Sequence, residues 1–187
     1  LPRTSPRPST RTPPRAAGRA RIGDDQPILA SPILGISDEA WTDFACCMRT
    51  AEPTAVSASN ELGMFAMKPR RLADLGLMTK MACARAPTGS DGASRMVWVG
   101  QFVPPLTSRG FLDNPRIQYQ AFTKSMKDYA NRLRRGSIAR PEGGDMTLSG
   151  ALAILHRAGP NGLVKWGDPE QRFPETTSIF ERANGVF

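Results

Sequence analysis

Cysteine and histidine are scarce in this chain, and their scarcity removes several kinds of chemistry. Of 187 residues, three are cysteine and one is histidine. Cys46, Cys47 and Cys83 are odd in number and two are adjacent, which is a poor disulfide framework. There is no C-x-x-C pair for zinc, so reduced, buried thiols are expected, as in a protein folded in a cytoplasm. The single histidine, His156, has no G-x-S-x-G or comparable frame around it. It reads as a packed helix residue with one satisfied hydrogen bond. No metal constellation or phosphate loop is visible, and neither a metal nor a cofactor is expected. No stretch approaches the ~20 apolar residues of a membrane span. The basic N-terminus also lacks the apolar run of an intact secretory signal.

Acidic residues are missing from one region in particular. Residues 1–22 hold Arg3, Arg7, Arg11, Arg15, Arg19 and Arg21 without a single acid. Most of the net charge of +8 therefore sits there, and the remainder is nearly neutral. Prolines, serines and threonines fill the spaces, and there is almost no large apolar side chain to offset the entropy of ordering. A disordered basic arm is expected. Its charge suits an acidic surface, such as a partner subunit, an anionic cell-wall polymer or a nucleic-acid backbone. No aromatic ring is interleaved to stack on bases, so sequence-specific reading of nucleic acid is not expected. Ile28-Leu29 and Pro32-Ile33-Leu34 follow as an extended apolar strap, closing an appendage of residues 1–36.

Apolar residues make up 40% of the chain, enough for a core in the remaining body, 37–187. Ser37 is a good N-cap, with Trp41, Phe44, Ala45 and Met48 at helical spacing behind it, and Glu52-Pro53 is the expected helix end. Pro69 opens a second helix carrying Leu72, Leu75 and Leu77, with Gly76 as its stop. Residues 86–110 read as loop, with one short strand around Met96-Val97-Trp98-Val99. Asn114-Pro115 opens the clearest helix, with Phe122, Met126, Tyr129 and Leu133 on one face and Gly136 closing it. Thr147 begins another that ends at Gly159-Pro160, and shorter helices are expected near Leu163–Trp166 and Thr177–Ala183. The body is mainly α.

Several motifs then occur in a telling order. They are Ala55-Val56-Ser57, Leu62-Gly63-Met64-Phe65-Ala66-Met67, Arg71-Leu72-Ala73-Asp74-Leu75-Gly76, Phe111-Leu112-Asp113-Asn114-Pro115-Arg116-Ile117-Gln118 and Ser149-Gly150-Ala151-Leu152 through Leu163. Together they resemble the lysozyme-like domains of soluble lytic transglycosylases, especially the muralytic domains of phage particles. The resemblance implies a lysozyme-like fold over 37–187 and a groove for peptidoglycan glycan strands. It also implies a setting, a phage or phage-like virion assembled in the bacterial cytoplasm and acting at the cell wall. Other tail or portal subunits would be held through residues 1–36. The alternative is a structural subunit of such an assembly without activity.

Lysozymes and transglycosylases need a carboxylic acid beside the glycosidic oxygen. The resemblance leaves two alignments for it. Glu52 serves as the general acid if the turn before Ala55 is shortened. Without a gap, the acid position falls on Met48, which cannot donate a proton. Ser57, Phe65, Ala66 and Tyr119 are the implied substrate-binding residues, Ala66 standing where the pattern has a glutamine. Glu61 is the spare carboxylate, and Asp74 reads as a solvated helix residue. The Lys68-Pro69-Arg70-Arg71 run has two readings, a contact for glycan-linked acids and a solvated helix start. Trp98 and Tyr119 read as core before cleft, and Met64, Met67, Met78 and Met81 as core filler.

Overall fold

A computed structural model describes residues 29–86, 95–141 and 145–187. The arginine-rich stretch lies outside these residues, as does Ile28. Helices account for about half of the described residues, accompanied by one two-stranded sheet.

Local capping chemistry starts three helices where the sequence places them. Ser37 accepts a hydrogen bond from the Ala40 amide to open α1, Asp38–Met48, with Asp38 and Glu39 in its first turn. Trp41, Phe44, Ala45 and Met48 are buried as their spacing requires. The described part of the strap lies on this domain: Leu29 donates its amide to Thr42 Oγ1 at 2.8 Å, and Ile33 is buried. Leu34, however, is 85% exposed.

The end of α1 differs from expectation. The helix stops at Met48, four residues before Glu52, and Arg49 is extended. The amides of Thr50 and Ala51 donate to the Met64 carbonyl at 2.9 and 3.3 Å. These tertiary bonds draw the backbone out of the helix before proline could end it. The chain then makes a compact series of turns through residue 67, closed by reciprocal Leu62–Met67 backbone bonds of 2.9 Å.

α2, Pro69–Asp74, carries buried Leu72 as expected and stops before Gly76. β1, Met78–Arg85, then pairs antiparallel with β2, Met96–Phe102, with a register shift between Thr79 and Ala82. β2 contains the expected strand. β1 was not foreseen, because its Met, Lys and Ala residues have no strand preference; pairing with β2 satisfies its backbone. Cys83 is exposed on β1, and Cys46 and Cys47 are half-buried, so none of the three thiols has the buried place expected of it. α3, Ser108–Leu112, is capped by Thr107 and replaces the end of the expected loop.

α4, Pro115–Arg134, is capped by the Asn114 side chain at the Ile117 amide and buries Phe122, Met126 and Tyr129. α5, Leu148–Lys165, is capped by Thr147. It does not end at Gly159-Pro160. Gly159 adopts φ 71°, kinking the helix, and Pro160 restarts it, so Leu163 belongs to the same element. A short 3-10 turn, Pro169–Gln171, leads to α6, Pro174–Ala183. The core lies among α1, α4, α5 and α6. Phe122 stacks on Phe65 with centroids 4.1 Å apart and on Trp41 at 5.8 Å.

Candidate functional site

The turns after α1 form the platform on which a site is built. Gly63 holds φ +72°, and a Cβ there would stand 2.2 Å from Gln118 Oε1. Only glycine lets the turn approach α4 this closely. In return, buried Gln118 accepts from the Met64 amide at 2.8 Å and donates to the carbonyls of Pro53, Phe111 and Leu112 at 2.8–3.0 Å. One amide side chain thus joins the turn, α3 and α4. His156, on α5, fixes the other end through a 2.6 Å hydrogen bond between Nε2 and the Phe65 carbonyl. For that carbonyl to accept, Nε2 must carry the hydrogen. The ring meets the Phe122 edge at 86° and 5.4 Å. Burial is the main cause that lowers its pKa to about 4, with Arg157, Lys68 and Arg71 adding to the effect and the Phe65 bond opposing it. The expectation of a packed histidine with one hydrogen bond holds.

Beside this platform opens a cleft of about 750 Å³, bounded by the 57–61 turn, the start of α2, β2, α5 and the start of α6. Asn60 donates to the Trp98 carbonyl at 2.9 Å, pinning the turn to the sheet. Glu61 pairs with Arg157 at 3.2 Å, with both side chains largely buried. Its carboxylate is therefore engaged by a guanidinium rather than standing clear as a proton donor. The Lys68 ammonium donates to the Arg157 carbonyl. Loss of water around that ammonium lowers its pKa, Glu61 and Glu175 opposing and Arg157 reinforcing. Trp98 and Phe173, 41% and 63% exposed, supply aromatic surface to the same cleft.

The residues singled out from the sequence separate into two groups. Ser57 and Glu61 line the cleft. Phe65 does not: it is buried against Phe122. Tyr119 accepts from Trp41 Nε1 at 2.6 Å, and Ala66 sits in the platform turn at φ 47°; neither lines the cleft. Met48 is fully buried at the last position of α1, and Glu52 is exposed in the following turn, outside the cleft lining. The basic run divides as well. Lys68 and Arg70 reach the cleft. Arg71 turns inward, donating to Ser125 and Asp128 at 2.8–3.0 Å and stacking 3.9 Å from the Tyr129 ring.

Arg157, Lys165, Phe173 and Glu175 had no local signal, because each sits in a helix or helix approach where a charged or apolar residue is unremarkable. Trp98, read as core, is an exposed residue of β2 and lies on the cleft. Among the described residues no group of three or more His, Cys, Asp or Glu is placed to hold a metal ion, and no helix is long and apolar enough to cross a membrane. Comparison with known protein families, curated proteins and solved structures finds no match.

Proposed function

We propose that this chain is a lysozyme-like domain that has lost its acid and keeps a glycan-binding groove. It would serve as a non-catalytic peptidoglycan-binding subunit of a phage-like particle. The observation that carries this reading is the end of α1. The helix-end position, from which the resembled pattern supplies its acid, is Met48, and it is wholly buried. Methionine has no proton to give at any pH. Glu52 lies four residues past the helix in an exposed turn, outside the lining of the cleft. Glu61, the spare carboxylate on the turn itself, is held by Arg157. Binding is supported by the size of the cleft and its two exposed aromatic side chains, since ring faces pack against the C–H faces of sugars.

The test uses purified sacculi in two assays. In a zymogram, neither the wild-type chain nor Glu52→Gln clears the substrate. In a sedimentation assay, the wild type travels with the sacculi, and Trp98→Ala with Phe173→Ala loses most of that binding. Clearing by wild type that Glu52→Gln abolishes would refute the loss of the acid. Failure to sediment would leave the purely structural subunit as the better account.

A further inference from the structure

Resting on the glycan-binding reading, we infer that this cleft selects glycan strands whose sugars carry carboxylates over neutral ones. The inference comes from how the charges in the cleft are paired. Four cationic side chains, Lys68, Arg70, Arg157 and Lys165, line it against two carboxylates, Glu61 and Glu175. Arg157 is neutralised by Glu61 at 3.2 Å, and the Lys68 ammonium is bound to the Arg157 carbonyl. Arg70 and Lys165 remain, and neither belongs to an ion pair among the described residues.

Both are exposed, and they reach the cleft from different elements, α2 and the end of α5. Arg70 is held over the Trp98 ring with its guanidinium carbon 5.0 Å from the centroid. This contact presents a flat cationic fork next to an aromatic face. A sugar ring packed in that cleft would set a ring substituent near the fork, and a carboxylate is the group that a guanidinium grips with two parallel hydrogen bonds. A neutral sugar would make use of Trp98 and Phe173 but would leave the cleft's excess of positive over negative side chains unmatched. The alternating amino-sugar strand of peptidoglycan meets the requirement, because its lactyl groups end in carboxylates once stem peptides are removed.

The experiment measures binding of the full chain to three soluble polymers at low and high salt. The first is stem-free peptidoglycan strands with free lactyl carboxylates. The second is the same strands with those carboxylates converted to amides, and the third is inorganic polyphosphate. The native strand is expected to bind about tenfold more tightly than the amidated one at low salt, as for hydrogen bonds to a charged group. That advantage should shrink with salt. Arg70→Gln and Lys165→Gln should each lower the ratio of native-strand to amidated-strand binding. Equal binding of native and amidated strands would overturn the inference while leaving the glycan-binding reading intact. Binding of neither strand would overturn both. Polyphosphate bound as tightly as the native strand would also overturn it, because charge alone would then explain the attraction.

Discussion

The burial of the His156 ring sets a pH limit on this fold, and its size can be worked out. The ring is neutral in the folded chain because burial holds its pKa near 4, against 6.5 for the free side chain. Above pH 6.5 both folded and unfolded forms carry a neutral ring, and no pH dependence arises from it. Between 6.5 and about 4 the unfolded chain takes up a proton that the folded chain refuses, so unfolding becomes easier as pH falls. At about 1.4 kcal/mol per pH unit, the whole window is worth about 3 kcal/mol, of which about 2 kcal/mol is lost between roughly pH 7.5 and 5. Below about 4 both forms are protonated and this slope ends. Urea unfolding of the wild type and of His156→Gln across this range measures the difference. Glutamine keeps an N–H for the Phe65 carbonyl but cannot titrate, so the wild type should lose about 2 kcal/mol more than the variant. Because the chain has one histidine, an NMR titration of its ring protons needs no assignment. A resonance titrating near pH 6.5, or parallel stability curves for the two proteins, would refute the reasoning.

Other perturbations test the platform and the helix ends. Gly63→Ala forces an L-residue into positive φ and drives a Cβ into the Gln118 amide, so stability should fall by about 3 kcal/mol; a loss below about 1 kcal/mol in urea unfolding would show that Gln118 moves aside freely. Thr147→Ala removes the hydroxyl that accepts from the Gly150 and Gly185 amides and donates to Asn184 Oδ1. A loss of about 1–2 kcal/mol is expected, seen as a lower urea midpoint with an unchanged slope. Thr123→Val should do the reverse. The buried Thr123 Oγ1 has no hydrogen-bond partner among the described residues, and replacing it with a methyl should raise stability by about 1 kcal/mol in the same measurement.

The parts of the fold that were legible in the sequence are those written in short-range chemistry. Ser37, Asn114-Pro115 and Thr147 announced three helix starts, and each side chain caps the helix as its type suggests. The helical spacing of Trp41, Phe44 and Met48, and of Phe122, Met126 and Tyr129, gave the faces that are buried. The Gly159-Pro160 pair correctly marked a break, but the expected end became a kink, because proline is as suited to the first turn of a helix as to the region beyond one.

The candidate site was less legible. Ser57 and Glu61 reach the cleft because they lie on its turn, whereas Phe65 and Tyr119 were spent on the core. Arg70 and Arg71 are neighbours of one type, yet one stands over Trp98 and the other donates into α4. Adjacent helix residues point about 100° apart, and only the packing partner decides which of the two faces inward.

From its own residues, the chain determined where helices begin, which of their faces are apolar, and that its charge is gathered at one end, because each depends on neighbours a few positions away. Tertiary structure alone decided where α1 stops, that 78–85 is a strand, and which charges share the cleft. Each of those outcomes is a hydrogen bond or ion pair between residues far apart in sequence. The Met64 carbonyl takes the amides that would have extended α1, β2 supplies the partner for β1, and Arg157 reaches back across the chain to Glu61. Such bonds depend on distances in the folded molecule, and the order of residues does not contain those distances.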